Sequence, residues 1–260
     1  MKIKNLLLVH KLGYTAKEKK TIDKVRCLLR KNNILFRVIS PLEVHPEIVK
    51  DRDLIIIVGG DGTFLKVAQH INDETPFLCV NANIKKTEGF FSNTSITSIE
   101  NKLNDILIGK FKKKRLMRLS AKIDGKTIEP CVNEYYVGQK KPYDVSNYVL
   151  IIKNKKEPQK SSGVLVSTPA GSTAWTRGAG GKIIPINNKL FQFVVREPYV
   201  GKLTKTKMRN SLLKKTDKVI IIPKSEGMVV VSDAIGHEHN VKKNTKVEIS
   251  MSKKPICLLY

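Results

Sequence analysis

The run Leu54-Ile55-Ile56-Ile57-Val58, passing without interruption into Gly59-Gly60-Asp61-Gly62-Thr63, constrains the fold more than any other part of the chain. A strand with apolar side chains on both faces must be covered on both faces, which is the situation of a central parallel strand. Parallel neighbours need crossover connections, usually helices, and the flanking sequence supplies them. Ile3–His10 predicts a buried strand, Thr15-Ala16-Lys17-Glu18 carries the capping-box pattern, and Ile22, Val25, Leu28 and Leu29 recur at helical spacing. Ile34–Ile39 and Asp53–Val58 predict strands. A helix beginning near Thr63 follows from Phe64, Leu65, Val67, Ala68 and Ile71, then a strand at Phe77–Val80 and an amphipathic helix through Ile99, Leu103, Ile106 and Leu107. Right-handed crossovers turn such a series into an open α/β sheet.

The rhythm breaks at Lys110-Phe111-Lys112-Lys113-Lys114-Arg115. Beyond it strands alternate with turns: Met117–Ile123, a turn at Asp124-Gly125-Lys126, Ile128–Asn133, Tyr148–Lys153, Val164–Ser167, Lys218–Ile222, Met228–Ser232, Lys246–Ser250 and Ile256–Leu259. The expected architecture is α/β plus β. An N-terminal open, Rossmann-like α/β domain over residues 1–115 precedes a mostly β domain over 116–260, whose last residues are free to pack back on the first.

Charge is the unusual bulk property. The 48 basic and 23 acidic residues leave a formal net charge of +25, a field that attracts polyanions of any kind. Aromatics make up only 6%, too few to interleave stacking platforms with the charge, so the basic clusters at Lys17–Lys20 and Lys112–Arg115 are read as solvated faces rather than a specific nucleic-acid surface. The longest apolar stretches, Leu6–Val9, Leu54–Val58 and Val219–Ile222, fall far short of the roughly 20 residues a bilayer helix needs. Met1-Lys2-Ile3-Lys4-Asn5 opens with charge, but the short apolar run after it and the lack of a small-residue cleavage site predict no secretory leader. Cys27, Cys79, Cys131 and Cys257 are scattered, with no Cys-x-x-Cys pair, which predicts reduced thiols and a cytoplasmic setting.

A turn rich in glycine at the carboxyl end of a buried strand lets backbone amides approach a ligand closely. The helix that follows would point its orphan N–H groups and positive dipole end at the same anion. Gly59, Gly60, Gly62 and Thr63 are therefore candidate phosphate ligands, with Asp61 among them. A plain tight turn in which Asp61 caps the next helix explains the same residues. The chain has no Gly-x-x-x-x-Gly-Lys-Ser/Thr, so a Walker-type loop is excluded, and no His-Arg-Asp or Asp-Phe-Gly, which excludes a protein kinase.

A second segment, Ser167-Thr168-Pro169-Ala170-Gly171-Ser172-Thr173-Ala174-Trp175, follows the strand at Val164–Ser167 and is dense in hydroxyls able to bond ribose, carboxamide or phosphate oxygens. A turn capped by Ser and Thr is the structural alternative. With Gly-Gly-Asp-Gly-Thr at 59–63, Asn133-Glu134 at a strand end and Ser-Thr-Pro-Ala-Gly-Ser-Thr-Ala at 167–174, in that order and approximate spacing, the chain resembles the NAD kinase family. The resemblance spans most of the chain, to a late hairpin at Ser232-Asp233-Ala234.

The resemblance implies phosphoryl transfer to the 2′-hydroxyl of the adenosine ribose of NAD, from ATP or polyphosphate. It also implies Mg²⁺ or another divalent metal bridging the donor phosphates, with no protein metal ligand assigned, and a homodimer or homotetramer. It assigns Asp61 to the acceptor hydroxyl proton, Gly59, Gly60, Gly62 and Thr63 to the donor phosphates, and Phe90, Asn133, Glu134, Ser172, Thr173 and Ala174 to the dinucleotide.

The chain departs from the family pattern at three places. Ser162 stands where an acidic residue is usual, which bears on one dinucleotide contact and on the preference for NAD. Ile84-Lys85-Lys86-Thr87-Glu88 lengthens a short turn, and Lys182, near Arg177, replaces a common proline. Two rivals are a lipid kinase of the diacylglycerol or sphingosine type, which shares Gly-Gly-Asp-Gly-Thr but not the hydroxyl-rich segment, and a non-catalytic basic nucleic-acid-binding protein. Alternate residues His237 and His239 suggest a metal site without an evident third ligand, so an exposed hairpin turn is the expectation there.

Overall fold

The computed structural model describes the chain apart from residues 1, 2, 12, 14, 85–87, 142, 203–205 and 236. Met1 and Lys2 of the N-terminal reading, and Lys85-Lys86-Thr87 of the lengthened turn, lie outside the described residues. The chain forms two compact units, one made of Met1–Arg115 with Lys254–Tyr260, the other of Leu116–Lys253.

The first unit runs β1 (Leu6–His10), α1 (Ala16–Lys31), β2 (Phe36–Ile39), α2 (Pro46–Val49), β3 (Leu54–Val58), α3 (Asp61–Ala68), β4 (Pro76–Asn81), β5 (Thr94–Ser95), α4 (Ile99–Leu107) and β6 (Lys113–Leu116). The chain's last strand, Ile256–Leu259, lies between β4 and β6, and the sheet order is β2-β1-β3-β4-(256–259)-β6 with β5 also on β4. Strands β1 to β5 pair in parallel, as does the last strand with β4. Lys112 and Tyr260 exchange both backbone hydrogen bonds, at 2.9 and 2.8 Å, which is the antiparallel pairing of an edge. Every residue of β3 is buried, as an apolar central strand requires. Helix α1 starts on the expected capping box: Thr15 N donates to Glu18 Oε2 at 2.7 Å and Glu18 N donates back to Thr15 Oγ1 at 3.4 Å. Its Ile22, Val25, Leu28 and Leu29 share one core with β1, β3 and α4.

The second unit contains β7 (Leu119–Ile123), β8 (Lys126–Thr127), β9 (Glu134–Gln139), β10 (Ser146–Ile152), β11 (Lys155–Ser161), β12 (Gly163–Ser167), α5 (Trp175–Gly178), β13 (Phe191–Arg196), β14 (Asn210–Leu213), β15 (Lys218–Pro223), β16 (Met228–Ser232), β17 (Glu238–Val241) and β18 (Val247–Met251), which makes Ile256–Leu259 β19. Two six-stranded antiparallel sheets, β11-β10-β15-β18-β7-β8 and β14-β13-β12-β9-β16-β17, contribute alternate residues to one core, among them Leu119, Tyr135, Leu150, Val166, Phe193 and Val230. The turn between β7 and β8 holds Asp124 at φ 47° and Gly125 at φ 83°, the two left-handed positions of a tight hairpin.

Several expectations need correction. The lysine-rich run is not a break in the strand pattern, because Lys113–Leu116 is an edge strand; Lys112, Lys113 and Arg115 of the run are exposed, as a solvated face requires. The strand expected at Ile128–Asn133 begins instead at Glu134, since the amides of Val132 and Asn133 donate to a side chain, Asp233, and not to a ladder. Glu238 and its neighbours show the third difference: Glu238–Val241 is strand β17, paired with β16, not a turn. In it His239 Nε2 lies 2.6 Å from Glu129 Oε2, and Glu238 Oε1 lies 2.7 Å from Lys140 Nζ. Among the described residues no group of three or more His, Cys, Asp and Glu gathers as a metal cluster, and no helix is long and apolar enough to cross a membrane.

Candidate active site

Predicted site residues fall into two groups, one in each unit. In the first unit the strand order reverses between β1 and β3, so their carboxyl ends flank the crevice where open α/β sheets take ligands. A cavity of about 600 Å³ opens there, lined by Lys11 after β1, by Gly59, Gly60, Asp61, Gly62, Thr63 and Lys66 after β3, and by Asn81, Ala82 and Asn83 after β4. The glycines differ in their reasons. A Cβ on Gly59 would stand 2.7 Å from Thr63 Oγ1, so the turn itself demands glycine, whereas at Gly60 and Gly62 it would meet no protein atom within 4 Å. At those two positions the protein has no packing reason to exclude a side chain, and the space beside the backbone is open to a close approach.

Asp61 does not cap α3. Gly60 occupies the N-cap position, and the Asp61 carboxylate reaches across to the Gly89-Phe90-Phe91 turn. Phe90 N donates to Asp61 Oδ2 at 3.0 Å and Phe91 N to Oδ1 at 3.1 Å. The turn is held from below as well, because Phe91 is buried with its ring 4.5 Å from that of Phe64 on α3. Phe90 stays 44% exposed beside it. An anionic side chain, three glycines and a solvent-facing ring are thus fixed on one edge of one sheet.

In the second unit three segments distant in sequence converge on Asn133 and Glu134. Thr168 Oγ1 donates to Val132 O at 2.6 Å, Thr168 N to Asn133 O at 2.9 Å, and Gly171 N to Thr168 Oγ1 at 3.2 Å. Asp233 completes the clamp: Val132 N donates to both its oxygens at 3.0 Å, Asn133 N to Oδ1 at 2.7 Å, and Asp233 N donates to Glu134 O at 2.9 Å. Buried Asn133 Oδ1, Glu134 Oε2, Ser167 Oγ and Thr176 Oγ1 have no hydrogen-bond partner. Buried polar atoms are nearly always paired, so each of these atoms is open to a partner that the described residues do not supply. Ser167 and Glu134 are direct cross-strand partners on β12 and β9, which puts two of these atoms on one face.

The hydroxyl-rich loop divides by role. Ser172 is fully buried and committed: its Oγ donates to Pro169 O at 2.7 Å and accepts from Ile184 N at 2.9 Å. Thr173 and Ala174 are exposed at the start of α5. Trp175, half exposed, lies 5.2 Å from the Tyr136 ring, and the Arg196 guanidinium lies 4.9 Å over the indole. Asp233, Arg196 and Lys66 were not nominated by sequence reasoning. For Asp233 the signal was its place in the late hairpin Ser232-Asp233-Ala234, just after β16.

A glycine-rich strand-end turn on an α/β sheet, with buried polar atoms left without partners on a β unit, is the kind of site a nucleotide-dependent phosphotransferase uses. Residues 9–111 match the ATP-NAD kinase N-terminal domain and residues 104–259 the ATP-NAD kinase C-terminal domain. The chain belongs to the ATP-NAD kinase family, and it is an enzyme of NAD phosphorylation. An NADH kinase of Arabidopsis thaliana is 29% identical over 90% of this chain and 84% of its own length, and an NAD kinase of Clostridium beijerinckii 27% identical over 85% and 78%. The crystal structure of an NAD kinase from Archaeoglobus fulgidus in complex with ATP shares the fold, with a TM-score of 0.80 and 20% identity over 98% of this chain and 92% of that one. Neither the lipid-kinase nor the nucleic-acid reading gains support from these relatives.

Proposed function

We propose that the chain transfers the terminal phosphoryl group of ATP to the 2′-hydroxyl of the adenosine ribose of NAD, with Asp61 accepting or orienting the hydroxyl proton. The observation that carries the reading is the anchored carboxylate: two backbone amides fix Asp61 beside glycines whose outer faces are open. Phosphoryl transfer asks a protein mainly for alignment and charge neutralisation, and hydrogen-bond reach is the first requirement of a general base. Gly59, Gly60, Gly62 and Thr63 offer the donor phosphates backbone amides. Asn133 and Glu134 take ribose hydroxyls, Thr173 and Ala174 with Phe90 contact the rest of the dinucleotide, and Ser172 sets the loop that carries the first two.

The cavity also suits a divalent cation carried by the donor phosphates. Asp61, Asn81, Asn83 and Glu88 line it with hard oxygen atoms, and Mg²⁺ commonly takes one or two carboxylates together with phosphate oxygens. Bound there, the ion supplies neutralisation of charge on the donor. Function in the cytoplasm as a homodimer or homotetramer belongs to the same reading, and so does polyphosphate as an alternative donor.

The purified protein incubated with NAD, ATP and Mg²⁺ is expected to form NADP. Absence of NADP across ATP, polyphosphate and several divalent metals would sink the proposal.

NADH as a second acceptor is favoured by a specific arrangement. Ser162 N donates to Arg196 O at 3.1 Å, so the position where the family carries an acid is neutral here and adjoins the strand end that bears the Arg196 cation. The oxidised nicotinamide ring is positive and the reduced one is neutral. Ser162→Asp is therefore expected to raise the ratio of kcat/KM for NAD over NADH by about two- to fivefold, the range of a partly exposed ion pair. An unchanged ratio, measured with both acceptors, would remove Ser162 from the acceptor site.

A further inference from the structure

The second unit buries one cation and two carboxyl groups in the same neighbourhood, and only one charge state of that set is balanced. Arg118 is fully buried between β6 and β7, while Asp233 and Glu134 are each 3% exposed. Burying net charge is costly, so the set favours one ionised and one protonated carboxyl beside the guanidinium. Hydrogen bonding decides which is which. The Asp233 oxygens accept from Val132 N and Asn133 N, and Arg118 acts on Asp233 in the direction that favours its anion. Glu134 has no such support, and its Oε2 has no hydrogen-bond partner at all. An anion prefers the site with donors; a proton prefers the site without them.

We propose that Asp233 and Glu134 hold a single proton between them, with Asp233 the anion locked by backbone amides and Arg118, and Glu134 the neutral member that meets the dinucleotide as a hydrogen-bond donor. Asp233 is thereby a positioning residue, acting on the ligand only through the Asn133-Glu134 segment that it clamps. The proposal rests on the reading of Asn133 and Glu134 as ribose contacts.

Proton affinities agree with the geometry. Burial, and then the charge of Asp233, push the Glu134 carboxyl up to about 8, whereas Asp233, also raised by burial but countered by its amide donors and Arg118, reaches about 7. The amide donors and Arg118 draw Asp233 toward its anion while the charge of Asp233 pushes Glu134 toward its acid, the same ordering that the hydrogen bonds give. The other titratable groups facing the pair are neutral: burial raises both the Cys131 thiol and the Tyr135 phenol well above their ordinary values. Glu129, on the segment leading into β9, stays an anion with a lowered proton affinity and pairs with His239.

The test is the KM for NAD measured from pH 6 to 9.5 in the wild type and in Glu134→Gln, Glu134→Ala and Asp233→Asn. In the wild type KM is expected to rise as pH climbs through about 8, because the donor proton is lost, while the KM for ATP does not follow. Glu134→Gln, which keeps a donor and cannot ionise, is expected to lose the alkaline rise and to cost less at neutral pH than Glu134→Ala, whose loss is about tenfold. Asp233→Asn removes the neighbouring charge that raises the Glu134 carboxyl, so Glu134 ionises more readily and the alkaline rise moves to lower pH.

If Glu134→Gln loses as much as Glu134→Ala, the ionised form is the binding form and the proposal is overturned. An Asp233→Asn protein that is weakened in binding but keeps the wild-type pH profile would reduce Asp233 to a structural role. Should that variant fail to fold, the infrared carbonyl band of a protonated carboxyl, present in the wild type and absent in Glu134→Gln, tests the same proton. A KM indifferent to both Glu134 substitutions is a different result, because it removes Glu134 from the dinucleotide site altogether.

Discussion

Asp61→Asn is expected to lower kcat by about two to four orders of magnitude, the usual contribution of a positioned proton acceptor. Two losses combine in that one substitution. The amide cannot take the hydroxyl proton, and its NH₂ end faces one of the two backbone N–H groups, of Phe90 or Phe91, that the carboxylate now satisfies. Because the Phe91 ring remains packed on Phe64, the fold is expected to survive, and thermal unfolding should show a shift small beside the kinetic effect. NADP formation by the variant at the wild-type rate would eliminate the proton-acceptor role and leave Asp61 as the tie that holds the Gly89-Phe90-Phe91 turn. The part proposed for Gly59, Gly60 and Gly62 would be untouched by that outcome.

The second large effect is expected at Gly171. A Cβ there would stand 2.2 Å from Asn133 O, 2.5 Å from its carbonyl carbon and 2.8 Å from its Cα, all backbone atoms that cannot rotate aside. Gly171→Ala must push the Asn133-Glu134 segment off its position. Overpacking of this kind costs about 1–3 kcal/mol, and a displacement on the order of 1 Å in a positioning group costs on the order of a hundredfold in catalytic efficiency. Gly178→Ala is the matched control, since its Cβ would meet nothing within 4 Å. The comparison is read from melting temperature and from kcat/KM for NAD; equal behaviour of the two variants would show that the close approach at Gly171 has no bearing on the site.

Local chemistry made some features legible in the sequence. The apolar run of β3 and its glycine turn, the capping box of α1 and the Asp124-Gly125 hairpin each depend on neighbours within a few residues, and each is formed. Other features depend on partners far along the chain. Strand β9 starts at Glu134 because Asp233, about a hundred residues later, takes the amides of Val132 and Asn133, and no periodicity in that stretch records it. Strands β6 and β11 were hidden for a different reason. Both are edge strands, and edges accept the lysines of Lys113-Lys114-Arg115 and the Pro158 of β11 that a central strand would not. The inward commitment of the Ser172 hydroxyl was equally invisible, since nothing in Gly171-Ser172-Thr173 distinguishes a hydroxyl that serves the loop from one that serves a ligand.

Strand β19 carries a consequence for how the molecule comes to be. It lies between β4 and β6 in the sheet of the first unit, yet it is synthesised after the whole of the β unit. Domains commonly take shape in the order they leave the ribosome. Here the sheet that bears the glycine turn cannot finish in that order: β4 and β6 must wait, their facing edges unpaired, while residues 116–253 are made. The sheet behind the glycine turn therefore closes only when the strand Ile256–Leu259 arrives.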